Sequence, residues 1–164
     1  MTMTSFTPAP EHAAALRSAL GSFATGVTVV TTHSDIGPVG ITVNSFTSVS
    51  LDPPLVLWCP ALASDRHDAF ARAKHFAIHI LTADQQNLSE AFARSAQPFD
   101  LCDWTPGPQG VPLIQGCCTR LECATDSVIP AGDHSIILGR VSRVTTEPGT
   151  PLVFQGGHYG QFKS

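Results

Sequence analysis

Two hydrophobic rhythms alternate along the chain. After Pro8 and Pro10, Ala13, Leu16, Leu20 and Phe23 recur at helical spacing from Glu11 onward, and Gly26 stands where that helix would stop. The β-branched run "VTVVTT" (27–32) then predicts a strand. Turn residues in "HSDIGPVG" would return the chain as a hairpin partner running from Val39 to about Phe46. Pro53 and Pro54 introduce "LVLWCP", a continuous apolar run of the kind buried on both faces.

A short helix follows in "SDRHDAFARAK", with Ser64 or Asp65 as its N-cap. "HFAIHIL" (75–81) alternates as a strand, and "TADQQNLSEAFAR" places Leu88 and Phe92 on one helical face. Residues 95–116 are rich in Pro and Gly and read as a long surface excursion. "CTRLECATDSVI" and "HSIILGRVSRVTTE" form two strands about the turn "PAGD", and "PLVFQGGHYGQF" adds one more strand and a loop. About six strands adjacent in sequence, with about three helices, predict a mainly β fold: an antiparallel barrel with peripheral helices.

Composition narrows the partners. The 164 residues suit one domain (1–164, with 1–10 as an N-terminal arm), and 43% apolar content is ample for a core. Charged residues are only 13%, a sparse supply for a fully exposed surface, so part of it is expected to face another subunit. Net charge is -4 and the nine Lys and Arg are scattered, which argues against nucleic acid. No apolar run approaches the roughly 20 residues of a membrane span, and "MTMTSFTPAPEH" shows no signal-peptide pattern. A cytoplasmic setting follows as the expectation. Cys59, Cys102, Cys117, Cys118 and Cys123, odd in number and without a CxxC pair, are then read as reduced thiols.

Several chemistries drop out on spacing. Neither GxGxxG after a strand nor GxxxxGK[ST] occurs. His75 and His79 have a zinc-helix spacing, but on a strand they lie roughly 13 Å apart, too far for one metal with bonds of about 2 Å. No metal site is expected. Asp133-His134-Ser135 holds three triad residue types, yet consecutive residues cannot fold back on one another as nucleophile, base and orienter.

One stretch remains unexplained. Thr42, Asn44, Ser45, Thr47, Ser48 and Ser50 put six hydroxyl or amide side chains within nine residues, with Val43, Phe46 and Val49 between them. Ser and Thr often serve strand ends by bonding nearby backbone. Equally, loop N–H groups assisted by hydroxyls can hold a phosphate while the apolar residues wall a flat ring. Residue chemistry leaves both readings open.

The succession "LGSFATGVTVVTT", "VGITVNSFTSVSLDPPLVLWCP", "LSEAFA", "GDHSIILGRV" and "PLVFQGGHYG", from about Leu16 to Phe162, resembles the short-chain flavin reductase family. These are the reductase components of two-component flavin-dependent monooxygenases. The resemblance implies a split β-barrel of the FMN-binding type, usually a homodimer, with FMN or FAD as flavin and NADH or NADPH as hydride donor. It assigns Asn44, Ser45, Phe46, Thr47, Ser48 and Ser50 to the flavin loop, spanning residues 42–50. Thr25, Gly26, Val27 and Thr28 become the wall beside it, and Ser64 the phosphate-side serine. The "GDH" at 132–134, with Asp133 and His134, becomes the nicotinamide side, where His134 positions the donor and Tyr159 borders the site. Two positions depart: His79 stands where relatives commonly have Asn, and His67 where an aromatic such as Trp is frequent.

Hydride would then pass from nicotinamide C4 to flavin N5, with the cofactors carrying the reaction and the protein holding the rings in contact. Reduced flavin would diffuse to a partner monooxygenase. Two alternatives share the barrel. One is a non-catalytic flavin-binding electron carrier; the other is an oxidoreductase with tightly bound flavin and its own substrate.

Overall fold

The computed structural model describes residues 4–162, so residues 1–3 of the expected N-terminal arm lie outside the described residues. Thr4 to Ala9 carry no regular structure, and a 3₁₀ turn at Pro10–His12 leads into helix α1 (Ala13–Gly21). The remaining elements follow as β1 (Thr25–Gly26), β2 (Thr28–Ser34), β3 (Gly37–Val43), β4 (Thr47–Leu51), β5 (Pro54–Trp58), α2 (His67–Ala71) and β6 (His75–Ile80). Next come α3 (Gln86–Arg94), β7 (Trp104–Pro106), β8 (Pro112–Ile114), β9 (Thr119–Ala131), β10 (His134–Thr146), β11 (Leu152–Gln155) and β12 (His158–Gln161).

Seven strands form one sheet in the order β3-β2-β6-β9-β10-β5-β4, every neighbouring pair antiparallel. Laid flat, its edges would stand about 29 Å apart. Yet Val43 ends one edge strand and Thr47 begins the other, and the residues between them reach at most about 14 Å. The sheet therefore rolls until β3 and β4 meet at a seam, Asn44–Phe46, where no strand pairing exists. That is the split barrel expected from the sequence.

The inner face of the roll gathers Val30, Ile41, Val56, Trp58, Phe76, Ile78 and Ile137, with Phe70 of α2 closing against Trp58 edge-to-face at 5.0 Å. The outer face carries a second core. Val27, Val29, Leu81 and Ile114 pack under Leu88 and Phe92 of α3, and Phe99 stacks edge-on to Phe92. Burying Phe92 completely stabilises the fold by roughly 1.5–3 kcal/mol. Strand β2 feeds both cores, Val30 inward and Val29 outward, which is why its first five residues are all buried. Its buried hydroxyls stay satisfied: Thr31 donates to the Pro112 carbonyl at 2.6 Å and Thr32 to that of His75 at 2.8 Å.

Several sequence expectations are corrected. The strand expected from Val39 to Phe46 stops at Val43, because the chain must cross the seam there. Strand β5 buries Val56 and Trp58 in the inner core but leaves Leu55 and Leu57 half-exposed, since alternate side chains turn to its other face. Helix α2 starts at His67 with Arg66 in the cap position and no side-chain cap, so neither Ser64 nor Asp65 caps it. The 95–116 excursion is not merely surface: Phe99, Val111, Leu113 and Ile114 are buried, and β7 pairs with β8. The C-terminal stretch is a hairpin, β11–β12, joined to β1 as a separate three-stranded sheet.

Candidate functional site

The seam opens onto two adjoining hollows. The larger, 420 Å³, is lined by Thr42, Asn44, Ser45, Cys59, Ser64, Arg66 and His134, among others. The smaller, 210 Å³, adds the apolar side chains of Val27 and Phe154 and the ring of Tyr159. Thr42, Val43, Asn44 and Ala93 border both, so the seam is their shared wall. Together they have the size and the mixed apolar and polar lining of a cofactor site.

Two of the hydroxyls that marked this stretch in the sequence, Thr42 and Ser45, are engaged by the scaffold, as are Thr28 and Ser64 beside it. Thr42 Oγ1 donates to the Ser89 carbonyl on α3, and Thr28 Oγ1 donates to the Val43 carbonyl at 2.9 Å. Ser45 Oγ accepts from the Cys59 amide at 2.9 Å, fastening the seam to the end of β5. Ser64 Oγ accepts from the Arg66 amide at 3.3 Å. Asn44 is exposed at the mouth of both hollows, and the backbone of Asn44–Phe46 belongs to no ladder. Donors released from sheet pairing beside an apolar wall fit the polar edge and flat face of a flavin ring.

Other expected residues fall outside the lining. Phe46 packs against the inner core. Thr47, Ser48 and Ser50 lie on β4 at the sheet edge, and Thr25 and Gly26 form β1 beneath the hairpin. Thr25 Oγ1 is buried there without a hydrogen-bond partner among the described residues.

His134 opens β10 just after the turn residue Gly132, whose φ of 64° favours glycine. Its Nδ1 lies 2.7 Å from Asp133 Oδ1. The hydrogen bond from His134, then its charge, hold the exposed Asp133 carboxyl below the usual carboxylate range. With Nδ1–H held by Asp133, a neutral ring leaves the Nε2 lone pair free. Cys59 is half-buried, and burial pushes its thiol up, keeping it protonated beside the seam.

Arg66 was not singled out in the sequence. Its Nη1 donates to the Phe92 carbonyl at 2.7 Å and its Nη2 to that of Ala93 at 3.3 Å. The guanidinium thus sits at the carbonyl end of α3, where the helix dipole favours a cation. Nothing local reveals this, since α3 lies 26 residues away.

His79 is fully buried between Val29 O, 3.0 Å from Nδ1, and the Ile114 amide, which donates to Nε2 at 3.1 Å. Both ring nitrogens are committed to backbone. Among the described residues, no group of three or more His, Cys, Asp or Glu could hold a metal ion. Nor is any helix long and apolar enough to cross a membrane.

A rolled antiparallel sheet, open along one seam and hollowed there to cofactor size, defines a split-barrel cofactor-binding protein. The chain belongs to the flavin reductase family: residues 20–163 match the Flavin reductase like domain. It is 54% identical over 157 residues to the FMN reductase (NADH) SmoA of Agrobacterium fabrum, covering 96% of this chain and 90% of that protein. It is 46% identical to the reductase component of a flavin-dependent trigonelline monooxygenase of Acinetobacter baylyi, over 88% of this chain but only 47% of that one. The Streptomyces globisporus NADH:FAD oxidoreductase SgcE6, solved with NAD and FAD fragments, superposes with a TM-score of 0.89 at 40% identity. That match covers 97% of this chain and 98% of SgcE6.

Proposed function

We propose that the seam residues hold FMN or FAD while His134 orients NADH across the larger hollow, and that reduced flavin then leaves for a flavin-dependent monooxygenase. The chain is an NAD(P)H:flavin oxidoreductase of this family. The observation that carries the site assignment is the seam itself. Backbone at Asn44–Phe46 is free of sheet pairing, and Asn44 and Ser45 share one hollow with His134.

Bound flavin supplies an acceptor for hydride at N5; the chain supplies placement and polarity. Asn44 and the seam amides hydrogen-bond the polar edge of the ring, where negative charge grows. Val27, Phe154 and Tyr159 wall its apolar face. Asp133 holds His134 Nδ1–H, so Nε2 accepts from the nicotinamide carboxamide. A protonated Cys59 adds no anion beside the ring. Among the described residues, the one Lys or Arg in the lining, Arg66, is spent on α3 carbonyls, which suits a flavin that must dissociate.

Exposed apolar groups support a homodimer. Leu20 (67%), Phe23 (76%), Val49 (47%) and Leu51 (95%) are open apolar side chains that a second copy would cover. A cytoplasmic setting accords with five free thiols.

The test is aerobic turnover. Purified protein with NADH should oxidise it in proportion to added FMN or FAD, with flavin bleaching once oxygen is consumed. Lack of NADH oxidation with either flavin removes the reductase reading. Stoichiometric flavin surviving gel filtration would instead mark a prosthetic group.

A further inference from the structure

His67, the first residue of α2, joins two parts of the site without lining it. Its Nε2 lies 2.9 Å from Ser135 Oγ, and its Nδ1 lies 3.1 Å from Asp68 Oδ1. A Ser–His–Asp chain of this kind suggests a nucleophile, yet Ser135 is only 5% exposed and is absent from the hollow's lining. No substrate reaches it, so the bonds serve position.

What they position follows from the strand. Ser135 is the neighbour of His134 on β10, and consecutive strand side chains point to opposite faces. His134 therefore addresses the hollow while Ser135 turns back toward α2. The same stretch is stitched to residues 60–62, of which Pro60 and Ala61 border the hollow: the Ser135 amide donates to Pro60 O at 3.0 Å, and the Leu62 amide to Asp133 O at 2.9 Å. Those bonds fix the backbone height of the turn. The His67 imidazole, only 13% exposed, adds the lateral link from α2.

We propose that His67, acting through Ser135, is a positioning residue that holds His134 in register with the nicotinamide. The inference rests on the assignment of His134 to that side of the site. The Nε2 bond is the operative one. Asp68 on the other nitrogen is 70% exposed and is shared with Arg72 at 3.0 Å, so water competes for it.

The experiment compares His67→Ala, Ser135→Ala, the double variant, His67→Gln and His134→Ala, reading KM for NADH, kcat, flavin Kd and Tm. His67→Ala and Ser135→Ala should each raise KM for NADH about tenfold while flavin Kd stays within about twofold. The double variant should be no worse than the worse single, because both remove one bond. His67→Gln, whose amide can still reach Ser135, should recover most of the loss. A fall in Tm with KM unmoved, additive effects, or equal shifts in flavin Kd would overturn the proposal while leaving His134's role standing. If His134→Ala itself leaves KM for NADH unchanged, the nicotinamide assignment falls and the clamp falls with it.

Discussion

The Tyr159 hydroxyl lies 2.9 Å from Ser89 Oγ, joining the β11–β12 hairpin to helix α3 across 70 residues of chain. Ser89 is fully buried, and its carbonyl also accepts from Thr42 at the end of β3. One helical serine thus ties both walls of the smaller hollow together.

Tyr159→Phe tests that link. It keeps the ring against Phe154, 5.1 Å away, but strands the buried Ser89 hydroxyl. We expect a stability loss of about 1–3 kcal/mol, seen as a lower urea midpoint with m unchanged. Flavin Kd should rise while KM for NADH moves little, because Tyr159 borders only the smaller hollow. Tyr159→Ala, which also removes the wall, should weaken flavin further.

His134→Ala separates the two sides of the site in the opposite sense. The side chain is 43% exposed and supports no core, so Tm should stay close to that of the parent. KM for NADH should rise about tenfold, as expected for one lost hydrogen bond to substrate, with flavin Kd nearly unchanged. Loss of flavin binding with an unaltered KM would place His134 beside the wrong ligand.

How legible the site was depends on the distance over which each residue acts. Strands β2, β6, β9 and β10 were readable because β-branched and alternating runs report their own neighbourhood. The seam was readable only as a cluster of hydroxyls, and their purpose was not. Thr42 reaches across 47 residues to Ser89, and Ser45 across 14 to Cys59, so two of the six polar side chains serve strand-end and helix-to-sheet bonding. Arg66 drew no notice and His67 stood out only as a departure from the family's aromatic, because their partners, Phe92 and Ser135, come from distant segments. The 95–116 stretch was misread for a related reason. Its Pro and Gly content hides Phe99 and Ile114, whose burial depends on α3 and on β2.

Gly40 offers a test of how tightly α3 is seated. A Cβ at this position would collide with the ring of Phe92, itself fully buried in the outer core. The ring cannot swing away, because Phe99 stacks on it at 5.0 Å. Gly40→Ala should therefore cost about 1–3 kcal/mol by overpacking. Because α3 carries Ser89 and Ala93 to the hollows, flavin affinity should fall along with Tm. Gly26→Ala, which meets nothing within 4 Å, is the control.

His79 sets the response to acid. Burial, and to a lesser degree the charge of Arg120, drive its pKa down to about 4 from an ordinary 6.5, against the opposing bond to Val29 O. In the unfolded chain the ring takes up a proton as pH falls below about 6.5, while in the fold it stays neutral until about pH 4. Stability should therefore be greatest above pH 7 and decline through that window. The full loss is about 3 kcal/mol before the folded form protonates as well. His79→Asn removes the titrating group, and a shorter amide cannot bridge both Val29 O and the Ile114 amide. That variant should be less stable at neutral pH by about 1–3 kcal/mol and flatter between pH 6.5 and 4. Urea midpoints across that range are the measurement. Parallel pH profiles for parent and variant would show that the acid sensitivity arises at another group.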